Sequence, residues 1–203
     1  MSTVSLIKHL AIFSSHLESS LILKKHTAKN FIFLSVFALN IFCGNTAFAN
    51  NLEYKIKAVL TLKIMSHIQW PSAALVANDN TFRIGVLGSD DVLAVFKSLE
   101  SKEINGRKIA VEQVTDLDNL GSFNSVFIST HSSQPQQKIL TALKRSSILT
   151  FGETQDFAQS GGIIGFYKIQ DKIRFSINKK VAEEAGLKIN AQLFRVGKLV
   201  GNK

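Results

Sequence analysis

A histidine among four hydroxyls, Ser129-Thr130-His131-Ser132-Ser133, closes a short apolar run and is the stretch best equipped for chemistry. At the carboxyl end of a strand, where open α/β sheets place their ligands, such a group could bind a polar molecule or supply a nucleophile and base. Nucleophilic catalysis needs a strained G-x-S-x-G elbow, or a separately placed base with an orienting acid, and the sequence offers neither. Gly88-Ser89-Asp90 stands at a second strand-to-helix turn, where backbone N–H groups can meet an anion. It has one glycine where a dinucleotide fingerprint has three, so it reads as a helix cap. Glu153 follows a third apolar run. Ser89, His131 and Glu153 are therefore the ligand-loop candidates, and no residue is assigned a catalytic role.

Other groups point away from cofactors. Gly161-Gly162 with Gly165 resembles a phosphate loop, but no Lys-Ser/Thr follows and the segment runs into a strand, so a turn with close backbone packing is expected. After residue 49 the only histidines are His67 and His131, and no cysteine remains. With carboxylates scattered along the chain, that set predicts no metal site, no cofactor and no thiol chemistry. Trp70, the single tryptophan, precedes Pro71 at a helix end. An aromatic there serves either as a core lid or as a partner-binding anchor, and Trp70 is the partner-binding candidate.

The elements that position these groups alternate. Apolar residues at 52, 56, 59, 60, 64 and 68 follow the helical period and predict an amphipathic helix ended by Trp70-Pro71. The run 82–88 predicts a strand and 90–99 a helix capped by Ser89 or Asp90. Ile104-Asn105-Gly106-Arg107 is a turn leading into a strand over 108–112. Runs at 125–129 and 147–151 predict further strands, with a helix from Pro135 through Leu143 between them. Strands over 162–167 and 173–177 flank Gln170-Asp171 as an antiparallel hairpin. Asn178 and Asn190 are positioned to cap two helices, the last carrying Ile189, Leu193, Val196 and Val200 as one apolar stripe against the sheet. The expected fold is α/β: a single three-layer domain, a mostly parallel sheet with a C-terminal antiparallel hairpin and flanking helices.

Residues 1–49 read differently. Lys24, Lys25 and Lys29 precede a 13-residue apolar run, 31–43, too short to span a bilayer and followed by the small-x-small site Ala47-Phe48-Ala49. This predicts a signal peptide with an extended N-terminus, export to the periplasm, and a domain over 50–203. Loss of the first 49 of 203 residues leaves 154, enough for one core, and takes four lysines and Glu18 with it, so the net charge falls from +9 to +6. Basic residues are spread rather than interleaved with aromatics, so nucleic acid is not an expected partner. An acidic partner surface or anionic headgroups remain open.

The strings YKIKAVL (54–60), IQWP (68–71), FRIGVLG (82–88), INGR (104–107), GGIIG (161–165), IRFSIN (173–178), AGLKI (185–189) and LFR (193–195), in this order and spacing, resemble the YfiR family of exported bacterial proteins. The resemblance covers residues 52–200. It implies a periplasmic α/β protein that is not an enzyme. Such a protein represses an inner-membrane signalling protein, a diguanylate cyclase or sensor kinase, by binding its periplasmic part, and so controls cyclic di-GMP and biofilm. The cysteine pairs of better-known relatives have no counterpart after residue 49, and a homodimer is left open. The alternative is a periplasmic small-ligand-binding protein using the loops at Ser89, His131 and Glu153.

Cleavage after Ala49 gives the first test. N-terminal sequencing of the exported protein is expected to begin at Asn50, whereas a full-length, carbonate-resistant membrane form would show the leader to be an anchor.

Overall fold

The computed structural model describes residues 45–75, 80–130, 132 and 134–201. The chain divides into two units, 1–49 and 50–203. Of the first, the described residues 45–49 lie in the opening turns of helix α1, Asn45–Met65.

In the second unit eight strands form one sheet. They are β2 (Thr81–Leu87), β3 (Glu103–Ile104), β4 (Arg107–Gln113), β5 (Ser125–Ile128), β6 (Leu149–Gly152), β7 (Ile164–Ile169), β8 (Lys172–Asn178) and β10 (Lys198–Val200). Their spatial order is β10-β8-β7-β6-β5-β2-β4-β3. Pairs β4/β2, β2/β5, β5/β6, β6/β7 and β8/β10 are parallel, and β7/β8 and β3/β4 antiparallel. The five strands from β4 to β7 thus stand in the doubly wound order 2-1-3-4-5 when counted along the chain, so the direction of winding reverses between β2 and β5. A separate two-stranded pair joins β1 (Ile68–Gln69) to β9 (Lys188–Ile189).

Both faces of this sheet are covered, which is why β5 and β6 are buried at every position. On one face Ile84, Val86, Phe127, Phe151 and Phe166 pack against Ala58, Ile64 and Met65 of α1 and against Val92, Val95 and Phe96 of α2, Asp90–Lys97. Phe127 links the helix to the sheet, its ring lying 4.5 Å from Phe96 and 6.3 Å from Phe166. On the other face Leu87, Val126 and Ile128 meet Ile139 and Leu140 of α3, Gln136–Ala142, together with Leu120 and Phe157. The result is the expected three-layer α/β arrangement.

The turn chemistry sits where the residues place it. Asn105 and Gly106 (φ 51 and 76) join β3 to β4, and Gln170 and Asp171 (φ 46 and 61) join β7 to β8; paired left-handed residues form two-residue hairpin turns. Asn178 Oδ1 accepts from Val181 N at 3.1 Å to cap α4, Lys179–Glu184. Asn190 Oδ1 accepts from Gln192 N at 2.9 Å to cap α5, Ala191–Phe194. A Cβ on Gly152 or Gly162 would overlap the buried ring of Phe157, so these glycines give that ring its floor.

The largest departures from expectation lie in the first and last helices. The first helix ends at Met65, because residues 68–69 pair with β9 instead of continuing the spiral. Its buried face is Lys57, Ala58, Thr61, Ile64 and Met65, while Leu52, Ile56 and Val59 of the expected apolar stripe are exposed. The last helix stops at Phe194, and residues 198–200 run as a strand along the open edge of β8. Gly197 allows the change: a Cβ there would come within 2.6 Å of Phe175 Cε2 and 2.7 Å of Ile177 Cδ1. Leu193 is buried whereas Val196 is 65 % exposed.

Leu193→Ala is therefore expected to cost about 2–5 kcal/mol by lost transfer energy and a cavity. Val196→Ala should stay within about 0.5 kcal/mol, as an exposed substitution does. Urea unfolding of both variants reads the difference; equal large losses would restore the longer helix.

Candidate functional site

The carboxyl ends of β5 and β6 carry the most concentrated polar cluster among the described residues. β5 delivers Ser129 and Thr130 and β6 delivers Glu153, because in parallel neighbours the loops leave the sheet on the same edge. From α1 the side chains of Tyr54 and Lys57, three residues apart and so on one side of the helix, reach the same point. Glu153 accepts from Lys57 Nζ at 2.5 Å, Thr130 N at 2.7 Å, Ser129 Oγ at 2.8 Å, Tyr54 OH at 3.0 Å and Thr130 Oγ1 at 3.1 Å. Lys57 also pairs with Glu53 at 2.7 Å, one turn earlier, and Lys168 lies 3.8 Å from that carboxylate. The Lys57 and Glu153 side chains are 7 % and 3 % exposed.

The protonation states follow from this geometry. Burial alone would push the Glu153 carboxyl up, but the Lys57 ammonium and the N–H and O–H donors outweigh it and hold the group below its ordinary value. Burial alone would pull Lys57 down; hydrogen bonds to Glu153 and Glu53 reverse the direction and raise it. Burial raises the Tyr54 phenol, partly opposed by its hydrogen bond to Ser129. At neutral pH the cluster therefore holds an ammonium, a carboxylate and a neutral phenol. None of the three is poised to move a proton or attack a carbon, and five donors already occupy the carboxylate. The arrangement is a clamp between α1 and the sheet edge.

Glu153 is the sequence candidate that the structure places at the centre. Ser89 is exposed at the N-cap of α2, where its side chain makes no capping bond. His131 lies outside the described residues. Trp70 is 8 % exposed, its indole N–H donates to Asn124 O at 3.1 Å and its ring lies 4.9 Å from Phe82. That is the core-lid arrangement: a ring already covered has little area left to lose on docking. Tyr54 and Lys57 were not singled out by sequence. The available signal was a lysine inside the run 57, 58, 61, 64 and 65, where an unpaired charge would be costly. No group of three or more His, Cys, Asp or Glu able to hold a metal occurs among the described residues.

The profile of the YfiR/HmsC-like family matches residues 54–198, which includes every residue of the clamp except Glu53. The chain belongs to the YfiR/HmsC-like family. No curated protein matches its sequence. Among solved structures the chain is similar to the ABC domain from Streptococcus pneumonia in complex with L-Trp, with 14 % identity, 59 % of this chain and 55 % of that chain covered, and a TM-score of 0.46. It is also similar to a conserved domain protein from Vibrio cholerae O1 biovar El Tor, with 12 % identity, 64 % and 57 % covered, and a TM-score of 0.44. This YfiR/HmsC-like chain thus spans little more than half the length of either.

The clamp makes stability depend on pH at both ends. Glu153, held below its ordinary value, contributes above the unfolded carboxyl pKa of about 4.3, and that contribution is lost as pH falls further. Lys57, held above its ordinary value, contributes below about 10.4, and that contribution is lost as pH rises beyond it. Glu153→Gln is expected to cost about 3 kcal/mol at neutral pH, by leaving the buried ammonium with Glu53 alone, and to flatten the acid limb. The double variant Lys57→Met/Glu153→Gln should recover part of the loss. Urea midpoints from pH 3 to 11 measure both effects, and an unchanged acid limb in Glu153→Gln would remove Glu153 from the clamp.

Proposed function

We propose that the chain is an exported periplasmic regulator that binds the periplasmic part of an inner-membrane signalling protein, a diguanylate cyclase, and holds it inactive. Repression would lower cyclic di-GMP and restrain biofilm. The observation that carries this reading is the YfiR/HmsC-like match over residues 54–198. The apolar run before Ala49 supports export. The clamp supports regulation over catalysis, since its ionisable groups are engaged with one another.

Physically, a repressor works by binding the inactive conformation of its target more tightly than the active one, and the shift it causes cannot exceed that difference in affinity. A docking surface is therefore the functional part. Trp70 is not its centre in this proposal, because the ring is packed in the core. The second reading, small-ligand binding, has one observation in its favour: a groove of about 670 Å³ beside Glu153, bordered by Asp156, Tyr167, Lys168, Ser176 and Lys198.

Deleting the gene is expected to raise cellular cyclic di-GMP, and a copy carrying residues 1–203 should lower it again. Unchanged cyclic di-GMP on deletion would remove the cyclase as target. A transporter gene beside this one, with no membrane cyclase or kinase, would favour the ligand reading.

A further inference from the structure

The side of α1 turned away from the sheet is apolar where a surface helix is ordinarily polar. Leu52, Ile56 and Val59 are 61 %, 41 % and 62 % exposed. Lys55 and Lys63, both exposed, fall on the same side, because steps of 3, 4, 7 and 11 from residue 52 return close to one line on a helix. Lys63 also borders a groove of about 390 Å³ with Leu60, His67, Arg174 and Val196, and among the described residues no acidic one lines it. The only acid in α1, Glu53, is turned toward Lys57. Among the described residues none of Lys55, Lys63 or Arg174 has a carboxylate within 4 Å. The face is therefore apolar and cationic at once.

We propose that this face docks on the surface of an anionic phospholipid bilayer, Leu52, Ile56 and Val59 entering the headgroup boundary while Lys55 and Lys63 meet lipid phosphates. A second copy is a poor occupant, since it would bring a second set of Lys55, Lys63 and Arg174 onto a face already cationic. A protein partner is ordinarily gripped at a central desolvated pocket. Here the apolar side chains stand in single file on a helix ridge with lysines between them, so each lysine stem can lie along apolar surface while its ammonium reaches a phosphate. Electrostatic attraction adds roughly fivefold in binding per basic residue near an anionic surface. The inference stands apart from the identity of any signalling partner.

The test is co-sedimentation of the exported protein, purified from the periplasm, with vesicles of phosphatidylglycerol and phosphatidylethanolamine, and with vesicles of phosphatidylcholine alone. Binding is expected to favour the anionic vesicles at least tenfold and to weaken with salt. It should fall at least tenfold in K55E/K63E and also in V59N, with thermal unfolding of both variants unchanged. Equal or absent binding to the two vesicle types, or undiminished binding by K55E/K63E, would overturn the proposal. Absence of vesicle binding, together with loss of cyclic di-GMP repression by K55E/K63E in cells, would assign the face to an acidic protein surface and overturn it as well.

Discussion

Lys57 and Glu153 carry opposite charges into a region closed to water, and much of the arrangement around them follows from that. An ion removed from water costs several kcal/mol unless its partners are well placed, and removing one partner of such a pair is more damaging than removing both. The Glu153 carboxylate, placed after β6, meets this requirement with donors from two other segments: Lys57 and Tyr54 of α1, and Ser129 and Thr130 after β5. Sliding α1 by one turn, or rotating it by one residue, would strand a charge. The pair thus fixes the register of the helix over the sheet, while Ala58, Ile64 and Met65 supply the apolar attraction.

The same pair explains why the helix was readable in sequence and its orientation was not. Apolar periodicity identifies the spiral correctly, because residues 52–65 alternate at helical spacing whichever face is chosen. It then assigns Leu52, Ile56 and Val59 to the inside, since it counts Lys57 and Thr61 as polar and places them in water. A lysine that finds a carboxylate 96 residues away reverses the assignment, and no local pattern announces that carboxylate. Glu153 was singled out from its place after a strand, on topological grounds. Its partners depended on contacts that only the folded chain makes.

Elsewhere the boundary between legible and illegible falls between local and non-local causes. Asn105-Gly106, Gln170-Asp171, Asn178 and Asn190 act through their own backbones, so one turn, one hairpin and two helix caps could be read directly. The C-terminal segment depends on a distant neighbour. Ile189, Leu193, Val196 and Val200 have helical spacing, yet β8 leaves an edge of unpaired N–H and C=O groups that residues 198–200 satisfy. Gly197, lying against Phe175 and Ile177, is where the change from helix to strand becomes sterically possible.

A doubly wound sheet ordinarily leaves a crevice outside the carboxyl ends of its strands, where the winding reverses. In this chain the turns that flank that point lie close together. A Cβ on Gly88 would sit 3.0 Å from Ser129 Cβ, so the turns after β2 and β5 touch, and next to them Tyr54 and Lys57 cover Glu153. A ligand that took the Glu153 carboxylate would have to replace five hydrogen bonds. Because the outward side of that seated helix carries Leu52, Ile56 and Val59, the polar contacts that close the sheet edge also set the direction in which the exposed apolar surface points. The sheet edge thus holds the helix in place, and the helix carries the exposed apolar side chains outward.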